Sequence, residues 1–275
     1  MIDVALTVAG SDPSGGAGLQ ADLKTFHQHG VYGAAVVTLV TVQNTRGVAQ
    51  VVPLDAALVG AQLDAVVDDV PPRAWKTGAL GSRAVVEEVA LRAARLAVRG
   101  VPLVVDPVMI SKHGAPLIDA DARDALVRAL LPHCALVTPN VHEAEALVGF
   151  AVRTVEDAQR AALAIAALGP RAVLVKGGHL EGAPTDLLFD GRATHVLAGE
   201  RIDTPHTHGT GCTLSAAITA RLARGATLLE ACAGAKAWLA EALRTAPGVG
   251  GGIGPVNHLA PVHGLPLLDR AATAR

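Results

Sequence analysis

Short apolar runs alternate with longer stretches of helical period along this chain, and that alternation limits its fold more than any other feature. Residues 4–9, 34–42, 103–105, 135–137 and 172–175 are almost continuously apolar, as strands buried on both faces must be. Between them, 16–29, 55–70, 82–98, 121–131, 154–168, 211–224 and 227–244 read as helices. Gly30, Gly100, Gly169 and Gly225 follow such segments and suit left-handed caps, and Asp55, Asp121 and Thr154 suit N-caps. This order predicts an α/β fold with a mostly parallel central sheet and helices on both faces. Two segments depart from it. Residues 36–42 and 48–53 flank a polar turn and predict a hairpin or small flap, and 185–189 and 193–197 flank Asp190-Gly191, a second hairpin. No linker, charge block or repeat divides the 275 residues, so one domain over 1–275 is expected.

Composition narrows the function. Hydrophobic residues are 51% and charged residues 17%, enough for a buried core and too apolar for a disordered chain. The net charge of −2 gives no global field for nucleic acid or an acidic membrane. Two Trp, one Tyr and three Phe are too few for a base-stacking platform. The longest charge-free apolar stretch, 31–45, falls short of the ~20 residues of a membrane span. Three widely spaced cysteines and an opening Met1-Ile2-Asp3 without a basic region predict a reduced, cytoplasmic protein.

Polar residues fall at telling positions. The first strand runs into Gly10-Ser11-Asp12. The run 103–105 is followed at once by Asp106, 135–137 by Thr138-Pro139-Asn140 with Glu143 beyond, and 172–175 by Lys176-Gly177-Gly178-His179. In open α/β sheets ligands bind outside the carboxyl ends of the strands. Any one of these residues alone reads equally well as a cap or turn residue. Parallel strands would gather Asp12, Asp106, Asn140, Glu143 and Lys176 on one rim.

Two glycine-rich loops precede helices: residues 10–18, and Thr207-His208-Gly209-Thr210-Gly211-Cys212-Thr213. A helix start presents unpaired N–H groups and about half a positive charge, and glycines let an anion approach the backbone. Neither loop is a Walker A sequence. Gly16-Ala17-Gly18-Leu19-Gln20-Ala21 fits a dinucleotide fingerprint, but it starts six residues past the strand and lacks the later acidic residue. A dehydrogenase is disfavoured. A non-catalytic small-molecule binder is the other competing reading, and the full set of rim residues opposes it.

Together, the segment from Ala9 to Asp22, Gln43-Asn44-Thr45, Asp106-Pro107-Val108-Met109, Thr138-Pro139-Asn140 with Glu143, Lys176-Gly177-Gly178-His179, the second glycine loop and Gly252-Ile253-Gly254-Pro255-Val256-Asn257-His258 resemble the hydroxymethylpyrimidine/phosphomethylpyrimidine kinases of thiamine biosynthesis. These lie in the ribokinase-like superfamily. The resemblance runs over nearly the whole chain. It implies a three-layer αβα fold, a homodimer, and ATP-dependent phosphorylation of 4-amino-5-hydroxymethyl-2-methylpyrimidine and then of its monophosphate. Carried over by motif, Gln43 hydrogen-bonds the pyrimidine edge, while Gly10, Ala17, Asp22 and Val108 line its pocket. Asp106 and Glu143 lie near Mg²⁺ with Asn140 in their network, and Lys176 reaches the ATP phosphates. Gly209, Gly211 and Cys212 form the anion hole beside the attacking hydroxyl, with Thr207 and Thr210 on the nucleotide side.

One departure is visible. The family commonly has Gly-Met-Leu where this chain has Gly78-Ala79-Leu80, so Ala79 leaves room for a larger ring. Pyridoxal or pyridoxine kinase activity on the same scaffold is therefore the alternative. Cys212 carries two expectations. Either the helix start and nearby cations depress its pKa, so that a thiolate takes the hydroxyl proton, or the residue only shapes the anion hole.

Overall fold

A computed structural model describes residues 2–109, 114, 117–178, 180 and 184–263 of the chain; His179 lies outside them. Nine strands form one sheet in the order β3-β2-β1-β4-β5-β6-β7-β8-β9. These are β1 (Val4–Ser11), β2 (Tyr32–Asn44), β3 (Gly47–Pro53), β4 (Ala74–Thr77), β5 (Leu103–Val105), β6 (Leu136–Val137), β7 (Val173–Val175), β8 (Asp186–Phe189) and β9 (Thr194–Leu197). The six strands β2, β1, β4, β5, β6 and β7 run parallel, and antiparallel pairs β2–β3, β7–β8 and β8–β9 close the two sides. Both expected hairpins are present.

The pleat sends alternate side chains to opposite layers. Leu6 and Val8 of β1, Trp75 of β4 and Val105 of β5 pack with α2 (Ala56–Asp69), α3 (Arg83–Val98), α4 (Ala120–Ala125), α5 (Val141–Val148) and α6 (Val155–Ala166). Ala5, Ala74, Val104, Leu136 and Leu174 point the other way, onto α1 (Gly18–Gln28), α7 (Thr210–Ala223) and α8 (Leu228–Arg244). The result is a three-layer αβα sandwich. Alanine fills much of the interface between α7, α8 and the sheet, where Ala216, Ala217, Ala220, Ala231 and Ala235 are fully buried. Small side chains let these helices approach the sheet closely.

Gly30, Gly100, Gly169 and Gly225 all have positive φ. Asp55 and Thr154 cap α2 and α6 through their side chains. Three local readings are corrected. Asp119, not Asp121, caps α4, and Asp121 sits in its first turn, where it favours the helix dipole. Strand β4 went unread because Lys76 interrupts an otherwise apolar run. Helix α5 is only eight residues long and was hidden behind its own cap, Asn140.

Candidate active site

The carboxyl ends of the parallel strands meet at one edge. From β1 the chain enters Asp12, from β4 Gly78 and Ala79, from β5 Asp106, from β6 Asn140, and from β7 Lys176. Between β1 and β4 the strand order reverses direction, which is where open α/β sheets leave a crevice. A cavity of about 990 Å³ opens there.

Its wall includes nearly every residue expected from the sequence. Gly10, Ala17, Gln43 and Ala79 lie on or just after β1, β2 and β4, and Val108 lies just past β5. Asp106, Asn140, Glu143 and Lys176 line the middle, with Thr207, Gly209, Thr210, Gly211 and Cys212 beside them. The exception is Asp22. It is fully buried below the cavity, taking a hydrogen bond from Thr7 Oγ1 at 2.6 Å and an ion pair from Lys76 Nζ at 2.8 Å to each carboxylate oxygen. Thr7 and Lys76 are register partners on β1 and β4, so both point to the same layer and reach Asp22 on α1. Burial opposes the Lys76 charge, but the Asp22 carboxylate beside it, together with Cys212 and Asp106, outweighs burial and holds its pKa above the ordinary lysine range.

Lys176 Nζ lies 3.0 Å from Asp106 Oδ1 and 3.9 Å from Glu143 Oε2. Burial works against this ammonium too, but the two carboxylates raise its pKa above that of a free lysine. Asp106 is held in place by Thr138 Oγ1 and Ser215 Oγ, each at 3.4 Å. Glu143 does two jobs. With Asn140 it closes a capping box on α5: Asn140 N–H donates to Glu143 Oε2 at 2.8 Å, and Glu143 N–H donates to Asn140 Oδ1 at 2.9 Å. Burial raises the Glu143 pKa, against the pull of Lys176. The cap and the site residue are the same side chain.

Gly209 caps the start of α7 at φ 74°, a conformation that favours glycine, and a Cβ there would run into the Gly16 carbonyl. The two glycine loops thus interlock back to back. A Cβ on Gly211 would come within 3.2 Å of Lys176 Nζ, so this helix start and the lysine face one point. The first N–H groups of α7 have no intrahelical acceptor and carry the positive end of its dipole. A cation and a helix N-terminus aimed together make a site for a phosphoryl group.

Cys212 sits in this turn, and the Gly18 backbone N–H reaches its sulfur. The expectation of a depressed pKa is overturned. Burial pushes the thiol up to about 12, and the pull of Lys76 is opposed by Asp106 and Asp22. At neutral pH the resting site holds a thiol, not a thiolate.

The donor set suits Mg²⁺. Among the described residues no group of three or more His, Cys, Asp or Glu side chains could hold a metal. Mg²⁺ in phosphoryl-transfer sites needs only one or two carboxylates, because phosphate and water fill the rest. Asp106 and Glu143, converging on the Lys176 ammonium, already form a place where positive charge is stabilised.

Several lining residues were not read from the sequence. Leu214, Ala233, Ala237, Leu239, Ala240 and Leu243 of α7 and α8 give the far end an apolar wall. Their helical period signalled only a core face, since nothing in it distinguishes a covered stripe from a cavity wall. His208 stands in the second glycine loop with no role predicted for it, yet its Nε2 lies 2.7 Å from Asp12 Oδ2 and 3.2 Å from the Gln43 amide nitrogen.

A doubly-faced α/β sheet with a cation, a helix start and paired carboxylates at its carboxyl edge defines a phosphotransferase of the ribokinase-like kind. Comparison with known proteins agrees: residues 12–257 match the family model described as phosphomethylpyrimidine kinase. The chain belongs to that family. It is 47% identical to the hydroxymethylpyrimidine/phosphomethylpyrimidine kinase of Synechococcus elongatus, over 95% of this chain and 99% of the relative. Among solved structures, phosphomethylpyrimidine kinase from Clostridium difficile superposes with a TM-score of 0.77 at 41% identity, over 87% of this chain and 99% of that one. The ADP complex of Bacillus subtilis pyridoxal kinase superposes at 0.85 with 39% identity, over 94% and 98%. No helix among the described residues is long and apolar enough to cross a membrane.

Proposed function

We propose that this chain is a Mg²⁺- and ATP-dependent kinase that phosphorylates 4-amino-5-hydroxymethyl-2-methylpyrimidine and then its monophosphate, giving the diphosphate used for thiamine diphosphate. The observation that carries the reading is the shared aim of Lys176 and the α7 start, in one cavity with Gln43 and an apolar wall on α8. The names borne by its relatives support the substrate class.

In this reading the pyrimidine lies between Val108, Ala79 and Ala17, with Gln43 at its polar edge. ATP lies along the α7–α8 wall, its phosphates toward Lys176 and Asn140, with Thr207 and Thr210 at the loop. Mg²⁺, held by Asp106 and Glu143, supplies charge neutralisation for the phosphates when bound. Lys176 and the N–H groups at Gly211 and Cys212 stabilise charge that grows on the transferred group. A loose transition state asks little of a base, so Cys212 serves as a neutral wall of the anion hole. The nine-stranded sheet, continuous from β3 to β9, supports one catalytic unit spanning the chain. Exposed Tyr32, Val40, Val42 and Val52 on the β2–β3 side support a homodimer. An ATP-consuming step on a free metabolite agrees with a cytoplasmic setting.

The test is phosphorus NMR of purified protein with ATP, Mg²⁺ and the pyrimidine. Sequential appearance of monophosphate and diphosphate is expected, and ATP left intact with both ligands present would refute the proposal. Pyridoxal as a second substrate is favoured by Ala79, whose methyl group lies on the slot wall, and by the likeness to pyridoxal kinases. Turnover of pyridoxal in the same assay decides that point.

A further inference from the structure

The side chain of Gln43 touches two hydrogen-bonding neighbours whose own bonds leave it only one orientation. Its amide nitrogen lies 3.2 Å from His208 Nε2, and its amide oxygen lies 3.2 Å from Thr41 Oγ1. A half-turn of a carboxamide exchanges these two atoms and leaves everything else in place.

His208 decides the first contact. Its Nε2 is 2.7 Å from Asp12 Oδ2, the length of a charge-assisted bond. Asp12 is 3% exposed and also accepts from Ser14 N–H at 2.9 Å, Ser14 Oγ at 2.7 Å and Ala17 N–H at 2.9 Å. Burial pushes its pKa up, but these bonds, the one from His208 foremost, outweigh burial and keep the carboxyl below its usual range. An ionised carboxylate only accepts, so Nε2 must carry the proton. A protonated Nε2 cannot take a bond from an NH₂ group. It can share its hydrogen with an amide oxygen.

Thr41 decides the second contact independently. A hydroxyl has only one hydrogen, and of its two neighbouring acceptor positions, the Ser11 carbonyl at 3.0 Å and the Gln43 amide at 3.2 Å, the nearer carbonyl takes it. The Gln43 atom facing Oγ1 must therefore be a donor, the NH₂. Both neighbours demand the same exchanged orientation: oxygen toward His208, nitrogen toward Thr41.

We propose that Asp12, His208 and Thr41 lock the Gln43 carboxamide with its oxygen on the His208 side, so that the cavity is offered one fixed donor–acceptor pair. Gln43, His208 and Thr41 all line the cavity. An aminopyrimidine edge presents an acceptor ring nitrogen beside a donor NH₂. The corresponding pyrimidinone presents the reverse, a ring N–H beside an acceptor oxygen. A locked amide accepts one and rejects the other, whereas a free amide turns over to suit either. His208 and Thr41 are thus positioning residues that act through Gln43. The proposal rests on the reading that Gln43 meets the ring.

The test compares kcat/KM for the 4-amino substrate and for 5-hydroxymethyl-2-methylpyrimidin-4-one, in the wild type and in His208→Leu, Thr41→Val and Gln43→Ala. The wild type should prefer the amino ring by more than tenfold. His208→Leu and Thr41→Val should each cut that preference by about tenfold, the worth of one mispaired hydrogen bond. Their KM for ATP should move little. Purely structural damage would slow both rings alike and leave the ratio unchanged. Should His208→Leu fail to fold, Thr41→Val, which keeps the side-chain shape, carries the test alone. An unchanged ratio in the folded variants, with the preference lost in Gln43→Ala, overturns the lock while sparing the ring reading. A preference that survives Gln43→Ala overturns both.

Discussion

Lys76 and Asp22, fully buried, form a two-pronged ion pair directly beneath the cavity, with 2.8 Å from the ammonium to each carboxylate oxygen. The pair joins the central strand β4 to α1, the helix that follows the first glycine loop. Removing one partner leaves a buried charge without its counter-ion. Lys76→Met should therefore destabilise the fold by about 3–5 kcal/mol, and adding Asp22→Leu should restore part of that loss. Urea denaturation of the single and double variants checks this. Equal additive losses would show that the two charges are not coupled.

In the proposed reading Lys176 faces the phosphates, not the ring. Lys176→Met should lower kcat by roughly 100-fold or more, the scale of losing a preorganised charge in the transition state. Pyrimidine affinity, read by calorimetry, should stay within a few-fold. A parallel collapse of ring binding in a folded variant would mean that the lysine is misassigned.

Gln43 lines the cavity, and in the proposed reading it meets the polar edge of the ring. Gln43→Ala should weaken pyrimidine binding by about 1–3 kcal/mol, because ring donors and acceptors would be buried unpaired. Binding of a nucleotide analogue should be unaffected. Unaltered pyrimidine affinity would remove Gln43 from the site.

The three thiols give a pH signature. Burial pushes Cys134, Cys212 and Cys232 each up to about 12. Alkylation by iodoacetamide at pH 7 should therefore be slow and should climb about tenfold per pH unit toward pH 9 at Cys212, which lines the cavity. The linkage has a definite sign. A folded-state pKa above the unfolded value gives stability that is complete below about pH 8.5 and is lost as pH rises toward 12. Melting temperatures should fall above pH 9. Rapid alkylation of Cys212 at pH 7 would restore the thiolate reading.

Much of the fold was legible because parallel strands buried on both faces carry unbroken apolar runs. The rim was legible because its polar residues follow those runs at once, as Asp106 follows β5 and Lys176 follows β7. Lys76 escaped for the converse reason. A charged residue inside a strand looks like a break, and only Asp22, 54 positions away in sequence, makes its burial tolerable. Asp22 itself lies within a recognisable motif, yet its side chain turns to the core and away from the cavity. The raised Cys212 pKa was not legible, because a sequence displays the helix start and hides the burial that outweighs it.

A crystal soaked with the hydroxymethylpyrimidine and a non-hydrolysable ATP analogue tests the central claim most directly. The γ-phosphate should rest between Lys176 Nζ and the Gly211–Cys212 turn, with the ring against Gln43 and its hydroxymethyl oxygen pointing at that phosphate. A triphosphate bound away from Lys176, or a ring bound on the α8 wall, would contradict it.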